Sequence, residues 1–399
     1  MTTVPDRSLW PHGQSVRAPA GYTAFVPAPL PPPIAWGGEL VASLSKADRA
    51  IGRLAGEGWR FPNPHLFISP FLRREAVLSS RIEGTRTTLE ELLAAQAGAL
   101  VGRASKDLEE VVNYVDALEY GLERLATLPL SLRLIREIHE RIMRGVRGDM
   151  ATPGEFRRSQ NWIGPPGCTL NDASYVPPPA DELIGCLDAL ERFLHDNTLP
   201  PLVHAGLAHA QFDAIHPFLD GNGRVGRLLI SLLLVEREIL RSPLLYLSAY
   251  FEASREEYYA HLLAVTREGA WERWLIYFPR GVQIQAEDAI DRMEEIDGLF
   301  EDWRKALVGV QSGRAETVML LFIGNPFWTA GGIAREFGVA YTTARRAIER
   351  LEAAGIVSQT GTAKRNRVYC AREMLQVLEA PHAAGRPASR SGATIGVDE

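Results

Sequence analysis

Cysteine is scarce in this 399-residue chain: there are three, Cys168, Cys186 and Cys370, far apart and odd in number. Such a set builds no disulfide framework, and the three read as reduced thiols of a cytoplasmic protein. Long apolar runs are missing too. The greasiest stretch, Leu228 to Val235, falls far short of the roughly 18 residues a membrane span requires, so it reads as a core helix. Met1 to Ala20 contains Pro, Gly and Arg but no apolar leader segment, and residues 1–20 read as a disordered N-terminus. An excess of positive charge is also lacking. Lys and Arg number 43 against 49 Asp and Glu, a net charge of −6, so nucleic acid could be gripped only through a local basic patch. Apolar content of 46% is ordinary for a globular protein, and the length suffices for two or three domains with proper cores.

What the chain does have is concentrated between residues 216 and 227: His-Pro-Phe-Leu-Asp-Gly-Asn-Gly-Arg-Val-Gly-Arg. Gly221 and Gly223 bracket Asn222, so the backbone can turn sharply and aim N–H groups at an anion. The apolar run after them predicts a helix, whose N-terminus favours phosphate. Arg224 and Arg227 are three apart and fall on one side of that helix, each able to fork onto phosphate oxygens. Asp220 is a hard-oxygen ligand suited to Mg²⁺. His216 titrates near neutrality and suits general-base work.

Two other readings of this stretch fail on context. Gly221 to Gly226 satisfies the dinucleotide pattern G-x-G-x-x-G, but a strand should precede it. The preceding residues carry helical apolar spacing instead, at Leu202, Ala205, Ala208, Phe212 and Ile215. His204, His209, Asp213 and His216 suggest a metal cluster, yet their spacing does not place all four on one helix face. His204 and His209 read as helix histidines.

The twelve residues resemble the signature of the Fic (filamentation induced by cAMP) family, H-P-F-x-[DE]-G-N-G-R-x-x-R, at every constrained position: His216, Pro217, Phe218, Asp220, Gly221, Asn222, Gly223, Arg224 and Arg227. The resemblance extends from about Ala28 to about Phe278. Pro153 to Arg157, Asn161 to Gly164 and Tyr175 to Pro179 resemble the family's substrate-positioning flap, a β-hairpin in an otherwise helical fold. The resemblance implies transfer of AMP from ATP to a Ser, Thr or Tyr hydroxyl of a protein target. His216 would deprotonate that hydroxyl. Asp220 would hold Mg²⁺ on the α- and β-phosphates, and Gly221, Asn222 and Gly223 would form the anion nest. Arg224 and Arg227 would bind the outer phosphates, with Phe218 anchoring the loop. The residues themselves leave open adenylyl transfer, phosphoryl transfer and another nucleotide donor.

Upstream, Phe71 to Glu83 reads as a helix, Gly84 suits its left-handed cap, and Thr88 with Glu91 offers a capping box for the next helix. Ser79-Ser80-Arg81-Ile82-Glu83-Gly84 resembles the family's inhibitory motif, [ST]-x-x-x-E-[GN]. The resemblance implies that Glu83 pairs with Arg227 and withholds it from the γ-phosphate. The same glutamate could align a water for removal of AMP. The plain alternative is an ordinary helix-end glutamate.

Amphipathic stripes predict further helices over Lys106 to Leu125, Ser131 to Arg144 and Asp181 to Asp196. Tyr250, Tyr258 and Tyr259 suit either adenine stacking or core packing. Near Gly309 the chain changes character. Thr329 to Phe337 and Tyr341 to Ala354 read as helix–turn–helix, followed by two short strands, Ile356 to Gln359 and Arg367 to Cys370, and the whole resembles a winged helix-turn-helix domain. Its candidate DNA contacts are Arg345, Arg346, Arg350, Lys364 and Arg365. The alternative reading is a winged helix used for protein contacts or homodimerisation, with a charged solvated face.

The expected architecture is mainly α: an N-terminal helical region with the inhibitory helix (21–105), a Fic catalytic core with its flap (106–308), the winged helix-turn-helix domain (313–380) and a disordered tail (381–399). The expected function is a Mg²⁺- and ATP-dependent protein adenylyltransferase restrained by Glu83. The alternatives are a nucleotide-sensing DNA-binding regulator and a hydrolase that removes AMP with the same site.

Overall fold

The computed structural model describes residues 12–18, 21–58, 64–98, 104–145, 152–165, 167–308, 314–362 and 366–380. The tail expected over 381–399, and Lys364 and Arg365 of the expected wing, lie outside the described residues. The chain opens on two strands, β1 (Gly13–Arg17) and β2 (Thr23–Pro27), paired antiparallel with Gly13 opposite Pro27. Residues 13–17 are therefore ordered, where the sequence suggests disorder. Their own side chains carry no apolar alternation. They are held by the backbone of β2, which buries Ala24 and Val26 and bonds Phe25 N–H to Val176 O at 2.9 Å.

Eleven α-helices follow before the C-terminal elements, among the described residues. The N-terminal layer is α1 (Gly38–Glu57), α2 (Pro64–Ile82) and α3 (Leu89–Gln96). Thr88 and Glu91 make the reciprocal capping box at the start of α3. The middle of the molecule is α4 (Lys106–Leu125), α5 (Leu132–Ile142), α6 (Ala180–Leu194), α7 (Pro201–Ile215) and α8 (Asn222–Glu236). Then come α9 (Ser248–Ala253), α10 (Arg255–Glu268) and the long α11 (Trp271–Ala306), which runs along α1.

α7 and α8 form the centre. A helix that is apolar all round is an interior helix. From Leu202 onward every residue of α7 is buried except Asp213, and from Asn222 to Leu234 every residue of α8 is buried except Gly223. Both exceptions face the same cleft. The helices approach closely at Gly226, where a Cβ would sit 3.2 Å from Phe212. His204 and His209 are packing groups. His204 stacks on Phe193 at 4.5 Å, and His209 bridges Gly226 O and Tyr258 Oη at 2.9 Å each.

The expected flap hairpin is reduced to one bridge, Ile163 opposite Tyr175, with backbone bonds of 2.9 and 3.0 Å. A single 3₁₀ turn, Leu170–Asp172, lies between them. Pro165 on one side and Pro177 to Pro179 on the other have no N–H to donate, so the ladder cannot extend.

The C-terminal elements are α12 (Ala315–Gly324), β3 (Phe327–Thr329), α13 (Ala330–Glu336), α14 (Tyr341–Ala353), β4 (Ser358–Thr360), β5 (Val368–Cys370) and α15 (Arg372–Glu379). The sheet order is β3-β5-β4, all antiparallel. α14 buries Ala344, Ala347, Ile348 and Leu351 and exposes Arg345 and Arg346. These elements pack against α2 through α12 and α15, and Ser69 Oγ donates to Gly324 O at 3.3 Å. A buried polar chain ties them further. Arg292 on α11 donates to Ala380 O at 2.7 Å and grips Asp288 through two 2.9 Å bonds, while Asp288 also accepts from Arg74 of α2 at 3.2 Å.

Candidate active site

α7 stops because Pro217 cannot continue it, and His216 takes a left-handed conformation, φ 49° and ψ 61°, as its terminal residue. Left-handed backbone is uncommon for a residue with a side chain, and such residues cluster at functional sites. The strain is held by neighbours. Arg157, itself buried, donates Nε to His216 O at 2.9 Å, and Asn161 Nδ2 donates to Phe218 O at 2.7 Å. Asn222 closes the loop from within: its Oδ1 accepts from Phe218 N and its Nδ2 donates to Phe218 O, both at 2.8 Å. Phe218 is fully buried as the anchor. Gly221, at φ 79°, starts α8 and leaves that helix's first N–H groups free of intrahelical partners.

The imidazole of His216 lines the cleft. With its proton on Nδ1, it donates to Asp213 O at 3.3 Å and leaves the Nε2 lone pair available. Burial pushes its pKa down to about 4, so it is neutral near pH 7 and able to accept a proton.

Arg227 lies on the next turn of α8 and meets α2. Its Nε donates to Ser79 Oγ and its Nη2 to Ser79 O, each at 2.9 Å, and Nη2 also reaches Glu83 Oε1 at 2.6 Å. Burial works against the carboxylate, yet the guanidinium overrides it and holds Glu83 below its ordinary range. Gly223 makes the approach feasible, because a Cβ there would fall 2.2 Å from Glu83 Oε1. Gly84, at φ 101°, ends the turn that carries Glu83.

Asp220 sits at the rim with its side chain 58% exposed, and its Oδ1 accepts from Gly221 N at 2.6 Å. No group of three or more His, Cys, Asp or Glu side chains capable of holding a metal ion occurs among the described residues. A cation here would have one carboxylate and the phosphates of a nucleotide, which is the usual donor set for Mg²⁺. Asp220 fits that role. Arg224 turns the other way from Arg227: it is buried, ion-paired with Glu110 at 3.2 Å and 3.8 Å from Asp220, and does not line the cleft.

The cleft has a volume of about 680 Å³. Its walls are the flap residues Trp162 and Ile163 on one side and Arg255, Tyr259 and Leu263 of α10 on the other, with His216, Asp220, Gly223 and Arg227 at its base. Of the three candidate tyrosines only Tyr259 lines the cleft; Tyr258 is core and Tyr250 packs on Tyr277. Sequence reasoning named Asp213 only within the metal cluster it set aside; it lines the cleft, and burial and the nearby Glu83 raise its pKa to about 7. It placed Arg157 and Asn161 in the flap without seeing their part in the loop, and it missed His139; all three act on backbone atoms. Arg345 and Arg346 lie on α14, away from the cleft, and Arg345 pairs with Glu349 at 2.8 Å. Arg350 is partly buried on the same helix.

Residues 41–123 match the Fic/DOC family N-terminal region, and residues 129–234 match the Fic/DOC family domain. A Drosophila yakuba protein named protein adenylyltransferase Fic is 30% identical over 189 residues, 46% of this chain and 34% of that protein. Its Drosophila grimshawi namesake is 30% identical over 235 residues, 58% of this chain and 43% of that one. The chain thus spans less than half the length of these curated relatives. In fold it is similar to a crystal structure of a Fic family protein from Desulfovibrio desulfuricans G20, with a TM-score of 0.57 and 20% identity over 86% of this chain and 98% of that one.

Proposed function

Because the chain belongs to the Fic/DOC family, we propose that it is a protein adenylyltransferase, moving AMP from ATP to a Ser, Thr or Tyr hydroxyl of a protein target. His216 Nε2 takes the hydroxyl proton as the oxygen attacks the α-phosphorus. The bond from that phosphorus to the bridging oxygen breaks, and pyrophosphate leaves. α8's free N–H groups and Arg227 receive phosphate oxygens. Asp220 is the residue to hold Mg²⁺, which supplies charge neutralisation on the phosphates. The choice of the α-phosphate is supported by the names of the relatives. Arg224 serves the phosphates in this reading only after leaving Glu110.

The observation that carries a regulated enzyme is the Glu83–Arg227 pair at 2.6 Å, placed over Gly223 at the mouth of the anion nest. Glu83 occupies the guanidinium and the space that an outer phosphate would need. ATP labelled at the α- or γ-phosphate tests the reading in wild type, Glu83→Gly and the Glu83→Gly/His216→Ala double variant. Protein label from α-labelled ATP alone, raised in Glu83→Gly and abolished with His216→Ala, is expected. No label in any of the three overturns it, and label from the γ-position redirects it to phosphoryl transfer. A time course on protein that already carries AMP reads the reverse, hydrolytic activity.

A second reading concerns residues 313–380 as a winged helix-turn-helix domain that contacts DNA. It is supported by the exposed Arg345 and Arg346 on α14, above a helix–turn–helix and a three-stranded sheet. Salt-sensitive DNA binding by the full chain, lost in Arg345→Ala/Arg346→Ala, is expected. No binding at low salt removes it.

A further inference from the structure

We propose that His139 is a positioning residue that fixes the cation-bearing loop and the root of the flap in a single register. The proposed chemistry gives it no role, and nothing in its sequence neighbourhood marks it. It lies on α5, fully buried, with its ring 3.7 Å from that of Phe218 and tilted by only 5°.

Its two ring nitrogens hold two backbone groups from segments remote in sequence. Gly154 N donates to Nδ1 at 2.9 Å, and Nε2 lies 3.0 Å from Asp220 O. A backbone N–H can only donate, so Nδ1 is the acceptor and the ring proton sits on Nε2, donated to the Asp220 carbonyl. The neutral ring is required, since a second ring N–H would face the Gly154 N–H.

Both held segments rest directly on α5. Gly154 has φ 76°; a Cβ there would meet Glu140 Cβ at 3.1 Å and Arg136 O at 3.3 Å, and its carbonyl accepts from Arg136 Nε at 2.7 Å. A Cβ on Gly221 would meet Met143 Sδ at 2.9 Å and the His139 ring at 3.5 Å. Three residues beyond Gly154, Arg157 holds the His216 carbonyl. The flap and the 216–221 loop are therefore linked directly, through Arg157 and Asn161, and also through α5 by His139. Freed of His139, the peptide joining Asp220 to Gly221 can rotate. That moves the carboxylate offered to a cation and the N–H groups offered to phosphate together, while the flap loses its root.

The catalytic consequence rests on the adenylyltransferase reading; the structural one does not. The test uses the full-length chain with Glu83→Gly as parent, adding His139→Ala or His139→Gln, since a carboxamide keeps one acceptor and one donor. In His139→Ala, amide hydrogen exchange is expected to accelerate at both 154–157 and 220–222, with α4 and α6 unchanged. The Mg²⁺ concentration for half-maximal label transfer should rise about 10-fold or more, as for other residues that orient a metal ligand. His139→Gln should recover both readouts. Unchanged exchange at either segment in His139→Ala overturns the proposal, as does acceleration spread over the whole core. A parent that transfers no label defeats the adenylyltransferase reading and leaves the exchange result to decide this one.

Discussion

Replacing Glu83 with Ala removes one carboxylate from a guanidinium that has few other partners. Arg227 is 1% exposed and keeps its two bonds to Ser79 and its contact with Tyr258. Deleting one member of a buried ion pair costs about 3–5 kcal/mol. The Glu83 side chain is 33% exposed, so water screens part of the interaction. Together with the surviving Ser79 bonds, this lowers the expected loss to roughly 1–3 kcal/mol. Denaturant unfolding without nucleotide measures it directly. The same change releases Arg227 toward phosphate, so Mg²⁺ and ATP should stabilise the variant more than the wild type. A ligand at a hundredfold excess over its Kd contributes about 2.7 kcal/mol, enough to close or invert the gap. The variant is thus expected to be the weaker protein alone and the equal or stronger one with ATP. Equal stability without nucleotide, together with an identical ATP-induced shift, would refute the reasoning.

Phe218→Ala, at a fully buried ring beneath His139, should cost about 3–5 kcal/mol in denaturant unfolding. Asp288→Ala leaves Arg74 and Arg292 facing each other without their shared carboxylate and should cost a similar roughly 3–5 kcal/mol, read as a lower midpoint. For pH, His139, His209 and His216 all have pKa values lowered to about 4 from 6.5. Between those values the unfolded chain binds more protons than the folded one. Their contribution to stability is therefore complete above pH 6.5 and lost as pH falls toward 4, which a series of unfolding curves will follow. On the same basis, label transfer by Glu83→Gly should stay level down to about pH 5; a half-point near 6.5 would show that His216 titrates as an unperturbed histidine.

The parts of this molecule that were legible in sequence are those where local chemistry decides. The stripes of α4, α5 and α6 bury their own apolar faces, and Thr88 and Glu91 carry the start of α3 in their side chains. The candidate loop was legible because Asp220 to Arg227 need particular residues at fixed offsets. What was hidden depends on partners far along the chain. β1 exists because β2 pairs with it, the flap ladder fails because its strands lack donors, and β3 is too short for a two-residue period to register. Arg224 and Arg227 share a spacing of three, which suggests one role. Glu110 draws one away and Glu83 draws the other into the cleft. His139 and Arg157 work on carbonyls and amides, for which any residue serves as partner, so nothing in the sequence announces these bonds.

The polar chain from Ala380 through Arg292 and Asp288 to Arg74 gives α2 a second attachment, on its flank. One helix thus reaches the candidate cleft at its C-terminal end and the C-terminal elements along its flank. Binding free energies transmitted through a shared helix are reciprocal. Under the proposed function, a ligand that favoured one seating of α15 over another would alter the affinity for ATP by some factor, and ATP would alter that ligand's affinity by the same factor. Occupancy at either end is then a message legible at the other.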